Sequence, residues 1–329
     1  MHIPDNYLSP QTCAVMTVAM VPVWAVSIKK VKEELPKEKL PMLGVGAAFS
    51  FLGMMFNLPL PGGTTGHAVG GTLIAMLLGP YASCLSVSVA LLLQALIFGD
   101  GGILSFGANC FNMAFVLPFA GYAVATLIAK VVKGDKGRLL GAGIGSYVGI
   151  NLAALAAAIE FGIQPMLFHD SEGNALYCPY RLSVSIPAMM AGHLTLFGLA
   201  EVIYTVLILG FILKVSPSMV RENTGAKTSI GLKVFLLALI LATPLGLLAE
   251  GTAWGEWGAD EIAATGAGYV PKGMEKGFEW TSLIPDYAVH GMPDAAGYIL
   301  SAVIGVAALV ILFKLLSLLP GFGKESESV

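Results

Sequence analysis

The sequence predicts an all-α fold, a polytopic helical membrane protein with a seven-span module followed by a two-span module. Composition sets the class. Of the 329 residues, 56% are hydrophobic and only 12% are charged, and the mean hydropathy is +0.79. Those values exclude an ordinary soluble domain. Distribution sets the architecture: long apolar stretches alternate with short polar segments, and Lys and Arg gather in every second segment. A net charge of −3, with no basic cluster of the kind that binds nucleic acid, gives no reason to expect such a partner. The four cysteines have no CxxC spacing, so neither a disulfide framework nor a thiolate zinc site is expected. The N-terminus lacks a basic n-region and carries Asp5 near its start, so no cleaved signal peptide is expected.

In chain order, helices are expected over residues 11–28, 41–58, 68–78, 81–98, 107–129, 139–160, 184–213, 232–249 and 297–313. Ser9-Pro10 fits an N-cap followed by proline at the first helical position. The third span is too short to cross about 30 Å of hydrocarbon at 1.5 Å per residue, which suggests a broken or shielded helix. Charge decides that it counts as a crossing. With nine crossings and the N-terminus outside, fifteen of the 18 Lys and Arg fall on the inner side, leaving Arg181, Lys272 and Lys276 outside. Dropping the third crossing would put the 130–138 basic cluster on the wrong side. The polar stretch 216–231 separates the modules 1–215 and 232–329, and the second encloses an outer loop, 250–296, rich in Gly, Trp and acidic residues. Gly141, Gly145 and Gly149, with Gly121, Ala125 and Ala129, form small faces suited to close helix packing in lipid.

Met1-His2 is where chemistry is expected. A free α-amine, the His2 backbone nitrogen and the His2 imidazole Nδ1 close fused five- and six-membered chelate rings, giving three nitrogens in a plane. His67, in the glycine-rich loop Pro61-Gly62-Gly63-Thr64-Thr65-Gly66-His67, supplies a fourth. Such a square-planar nitrogen set favours Ni(II) or Cu(II). The nine-crossing topology puts Met1-His2, the 59–67 loop, the 99–102 turn and the 161–183 loop on one extracytoplasmic face. Pro4 fixes its own φ and restricts Ile3, limiting the chain just past the chelate. Asp5 is expected to orient a His ring or cap the first helix. Asp5, Thr64, Thr65, Asp100 and Asn109 are candidates to support the ligating imidazoles.

These residues resemble a known family. The start Met1-His2-Ile3-Pro4-Asp5-Asn6-Tyr7-Leu8-Ser9-Pro10, the loop from Pro61 through Gly71, and the stretch from Phe98-Gly99-Asp100-Gly101-Gly102 through Asn109 are similar to the nickel/cobalt-binding S components of energy-coupling factor (ECF) transporters. The tail, through Gly268–Glu275 and Pro285-Asp286-Tyr287, resembles the small two-span accessory subunit, fused here to the binding component. The resemblance implies Ni2+ or Co2+ as the transported ion, held by Met1, His2 and His67, and no catalytic cofactor. It implies as partners a transmembrane coupling (T) subunit and ATP-binding cassette ATPase subunits. It also implies a multi-pass protein of a bacterial or archaeal cell membrane. Asn6 stands where the family usually has Gly, which puts the turn after the ligands in question.

Other polar residues bear on the alternatives. His193 and Glu201 lie eight apart, hence on about one face of the seventh span; intramembrane ionisable groups are often functional, and a simple buried hydrogen-bonding role is the equal alternative. His169 and His290 sit in outer loops, where solvated roles or transient metal capture remain open. No G-x-x-x-x-G-K-[ST] loop occurs, so the chain is not expected to hydrolyse ATP. No H-E-x-x-H set occurs either, and the chain is not expected to be an enzyme. The alternative is an ion-coupled secondary transporter for divalent transition metals. Such proteins bind near the bilayer midplane through broken helices, whereas this ligand set uses the N-terminus.

Overall fold

The structure is a computed structural model and describes residues 1–60, 63–216 and 230–319. In the predicted order the chain forms α1 (Pro10–Glu34), α2 (Leu40–Met55), α3 (Gly71–Leu78), α4 (Pro80–Phe98), α5 (Phe106–Val131), α6 (Gly134–Leu167), α7 (Leu182–Val215), α8 (Ile230–Leu248) and α9 (Asp294–Ser317). Among the described residues seven helices, α1 and α4 through α9, are long and apolar enough to cross a membrane alone. The protein is therefore a multi-pass helical membrane protein. Ser9 caps α1 as predicted: its Oγ accepts from Thr12 N at 3.1 Å, with Pro10 at the first helical position. Several helices outrun the predicted spans; α6 has 34 residues. Apolar runs mark only the hydrocarbon-embedded part, and polar turns such as Asp135–Arg138 continue the helix beyond it. The predicted linker lies, for 217–229, outside the described residues, as do Pro61 and Gly62.

The segment expected to be the third crossing is not one continuous helix, as its length suggested. β1 (Leu58–Leu60) pairs antiparallel with β2 (Thr64–Gly66), Leu58 opposite Gly66. Non-helical backbone then leads to Gly70, at φ +73°, where the eight-residue α3 begins. Such backbone inside a membrane protein needs internal hydrogen-bond partners. Glu201, buried near the middle of α7, supplies them. Val69 N–H donates to its Oε2 at 2.7 Å, and Gly70 N–H donates to both oxygens at 3.0 and 3.1 Å. The carboxylate thus satisfies free donors ahead of α3, where negative charge suits the helix dipole. His193, the other polar residue predicted for this face, turns to its own helix: Nδ1–H donates to Met189 O at 2.9 Å.

Packing follows the small residues. A Cβ on Gly141 would stand 2.5 Å from Ala125 O and one on Gly149 2.5 Å from Leu117 O, so α5 and α6 meet backbone to backbone. This is the close approach expected of helices that must associate within lipid. α2 is buried along nearly its whole length, as a helix apolar all round must be. Its Gly44 receives α9, where an added Cβ would meet Leu309 O at 3.0 Å. Three π-helical turns interrupt the helices, at Gln94–Phe98 in α4, Cys110–Val116 in α5 and His193–Phe197 in α7. Each lies toward the end of the molecule where the N-terminus sits, and π-helical turns shift the register of the side chains that follow.

The segment between α8 and α9 lies over that same end. Its one-turn helix Lys272–Glu275 meets the loop after α6, where Gly273 N–H donates to Leu176 O at 2.8 Å. Lys272 Nζ donates to Asp170 Oδ2 at 3.0 Å, and this ammonium holds the Asp170 carboxyl down at about 2.

Candidate metal centre

The N-terminal coil is a buried segment fixed by side chains far along the chain. Ile3 N–H donates to Asn109 Oδ1 at 2.8 Å, and Asn109 Nδ2 returns a bond to Ile3 O at 3.0 Å. That carbonyl also accepts from Gly102 N at 2.9 Å and Ser105 Oγ at 2.6 Å. Asp5 neither caps α1 nor touches a histidine, against both expected roles. It grips the turn before α5, accepting from Leu104 N at 2.7 Å and Ile103 N at 3.1 Å. Burial pushes its carboxyl above the usual range, and these donors pull it back. Asn6 adopts φ +65°, in the left-handed region that Asn tolerates better than most residues. The departure from Gly therefore leaves the turn intact. Asn6 also exchanges two 2.8 Å hydrogen bonds with Phe278, Nδ2 to the carbonyl and N–H to Oδ1.

With the coil fixed, two imidazoles 65 residues apart in sequence face each other. His2 Nδ1 lies 3.1 Å from His67 Nε2, and both side chains are buried. A transition ion sits about 2.0–2.1 Å from an imidazole nitrogen, so adjacent nitrogens of a square plane stand about 2.8–3.0 Å apart. The observed pair fits that spacing. His67 Nδ1 faces Ala68 O at 3.3 Å, which directs Nε2 toward His2. The Met1 α-amine donates to Glu256 Oε1 at 2.7 Å and is itself buried. Among the described residues no three His, Cys, Asp or Glu side chains converge as a metal cluster.

Of the predicted supporting residues, only Asp100 touches a ligand candidate, its Oδ1 lying 3.1 Å from His2 Nδ1. Asn109 acts on the backbone of Ile3. Thr64 Oγ1 accepts from Trp254 N at 2.8 Å and so fastens β2 to the C-terminal loop. Thr65 lines a cavity of about 360 Å³ beside the histidines, shared with Asp100, Glu256 and Tyr287. Beyond the site, His169 contacts Asp170 O within its own loop and His290 is exposed. Sequence reasoning missed Glu256, Tyr287 and Gln94. Nothing local marks them, because their partners lie 255, 187 and 193 residues away. The only available signal was acidic and aromatic residues in a long glycine-rich loop.

Residues 2–219 match the family described as the cobalt uptake substrate-specific transmembrane region, and residues 229–320 match the PDGLE domain. The chain belongs to the cobalt uptake substrate-specific transmembrane family. It is 50% identical over 321 residues to a probable fused nickel transport protein of Lactiplantibacillus plantarum, covering 95% of this chain and 97% of that one. It is 47% identical over 332 residues to a fused nickel transport protein of Rhodobacter capsulatus, covering 94% and 95% respectively. A crystal structure of a truncated transition metal transporter is 54% identical, with a TM-score of 0.62, and covers 65% of this chain and 99% of that one. The chain therefore joins a metal-uptake region to a PDGLE domain, and the family comprises transport components, not enzymes.

Proposed function

We propose that the protein is the substrate-binding membrane subunit of an ECF-type ATP-binding cassette importer, capturing Ni2+ or Co2+ at the extracytoplasmic end. Met1, His2 and His67 are the ligands. The observation that carries this reading is the 3.1 Å approach of His2 Nδ1 to His67 Nε2 beside a buried α-amine. Binding forms four metal–nitrogen bonds and releases a proton from the amine and one from the His2 amide to water in the adjoining cavity. Affinity therefore falls as pH drops. Co(II) gains less than d⁸ Ni(II) from a strict plane, so nickel ranks first. Cu(II) binds such a set more tightly still on the Irving–Williams order, and selection against it falls to availability and pocket shape.

Orientation follows from charge. Of the described Lys and Arg, Arg181, Lys272 and Lys276 belong to segments at the ligand end, and the rest lie toward the other. The ligand end is then outside and the C-terminus inside. Residues 1–215 act as the binding component, 216–231 as a cytoplasmic linker and 232–329 as an accessory module. Separate T and ATPase subunits supply the driving force. A secondary transporter would leave a half-helix N-terminus for its substrate, whereas α3 receives Glu201 of its own chain.

The test is an N-terminal one. One residue added before Met1 turns the amine into an amide and displaces the chelate while leaving every helix untouched. Nickel titration of the purified protein with a native N-terminus should show tight binding, lost in the extended form and in His2→Ala and His67→Ala. Undiminished affinity in the extended form would sink the site.

A further inference from the structure

We propose that Glu256 and Tyr287, both between α8 and α9, are positioning residues of the metal chelate, Glu256 acting on the Met1 amine and Tyr287 on the Asp100 carboxylate beside His2 Nδ1. The inference rests on the ligand set given above, and it makes the site a composite of the N-terminus, the central helices and the C-terminal loop.

Glu256 acts on a group that is otherwise free to turn. An α-amine rotates about its N–Cα bond, yet chelation requires its lone pair in the plane of the His2 nitrogens. Glu256 Oε1 accepts from the amine at 2.7 Å, pinning one N–H and so limiting where the lone pair points. A coordinated amine keeps two N–H groups, so this hydrogen bond survives when the metal–nitrogen bond forms. An outer carboxylate holding a ligand's N–H is a common way to fix ligand orientation.

Tyr287 acts at one remove. Its O–H donates to Asp100 Oδ2 at 2.6 Å. Gln94, on the π-helical turn of α4, donates from Nε2 to that same oxygen at 3.0 Å and to the Tyr287 hydroxyl at 2.8 Å. With Oδ2 tied twice, Oδ1 is left to face His2 Nδ1 at 3.1 Å. A bound ion takes the Nδ1 lone pair, so this contact belongs to the metal-free site. With the ion in place, Oδ1 stands beside the bound nitrogen and sets its negative charge against the cation. The loop carries strain to achieve this. Asp286 and Tyr287 have φ of +54° and +60°, in the left-handed region that strains non-glycine residues. It is retained where it aims the Tyr287 hydroxyl at Asp100.

The test uses the full chain with its native N-terminus and nickel chloride as probe. Affinity and the visible ligand-field spectrum are recorded for the parent, Glu256→Ala, Glu256→Gln and Tyr287→Phe. Glu256→Ala and Tyr287→Phe should each bind about 10–100-fold more weakly, with a shifted ligand-field band. Glu256→Gln, whose amide oxygen still accepts the amine N–H, should recover most of the affinity and the parent band. Parent affinity and spectrum in both Glu256→Ala and Tyr287→Phe would overturn the inference, as would a Gln variant as weak as the Ala variant. His2→Ala and the one-residue extension are measured alongside. If they bind like the parent, the ligand set itself is wrong. If they lose binding while the loop variants do not, only this inference fails.

Discussion

Replacing Glu201 with alanine is expected to weaken both the fold around α3 and the metal site, although Glu201 touches no ligand. Its carboxylate takes the N–H groups of Val69 and Gly70 at 2.7–3.1 Å in a fully buried position. Each buried N–H left unpaired costs about 1–3 kcal/mol, so the pair costs about 2–6 kcal/mol. Losing negative charge at the start of α3 adds about 0.3–1 kcal/mol, and relief of a buried ionisable group offsets part of the total. Val69 lies two residues beyond His67, so the backbone released is the backbone that aims the imidazole. If only about 1.4 kcal/mol of the loss falls on the position of His67, nickel affinity drops tenfold. Glu201→Gln keeps one carbonyl oxygen for one of the two donors and should fall between parent and alanine. Nickel titration and thermal unfolding in the same detergent provide the two readings. An alanine variant that matches the parent in both would refute the role given to Glu201.

Gly102→Ala should detach the N-terminal coil, because an added Cβ would collide with Asp5 N and stand 2.5 Å from Asp5 Oδ1; overpacking of this kind costs about 1–3 kcal/mol, and loss of nickel binding is the readout. Asp170 is held at about 2, chiefly by Lys272, so its contribution is present above the ordinary carboxyl value of about 3.9 and is lost as pH falls toward about 2. Hydrogen exchange in the loop after α6 should rise over that window in the parent, and Lys272→Ala should remove the step. Bound Ni(II) should be diamagnetic with four nitrogen neighbours by X-ray absorption; a paramagnetic, oxygen-rich, six-coordinate spectrum would exclude Met1, His2 and His67 as its ligands. A fragment ending near Ser216 should still fold, since a relative matching only 65% of this chain has its own crystal structure. It should bind nickel more weakly than the full chain, because Glu256 is absent.

Much of the architecture is legible because membranes impose one-dimensional rules. Hydropathy finds the helices, and the Lys and Arg distribution counts the third crossing that length alone would discard. In the structure that segment is a hairpin, an extended stretch and the short α3. The glycine faces of α5 and α6 were readable for the same reason, since helices in lipid associate through small residues. The pairing of Met1-His2 with His67 was legible as chelate chemistry, and the fold brings the two imidazoles to 3.1 Å.

Partners separated by tens or hundreds of residues were not legible. Asp5 looked like a cap for the helix that follows it, yet its hydrogen bonds go to residues 103 and 104. Glu201 shares a helix face with His193 in the sequence, but it serves the backbone ahead of α3. The π-helical turns that carry Gln94 and lie beside Asn109 shift the helical register, so no regular period places those side chains. Local sequence thus determined the class, the helices and the candidate donor atoms, because these depend on the hydrophobicity, charge and chemistry of neighbouring residues. Tertiary structure alone decided which buried donors meet which acceptors, because that depends on how the chain returns through space: Glu201 to the start of α3, Glu256 to the amine, and Tyr287 through Asp100 to His2.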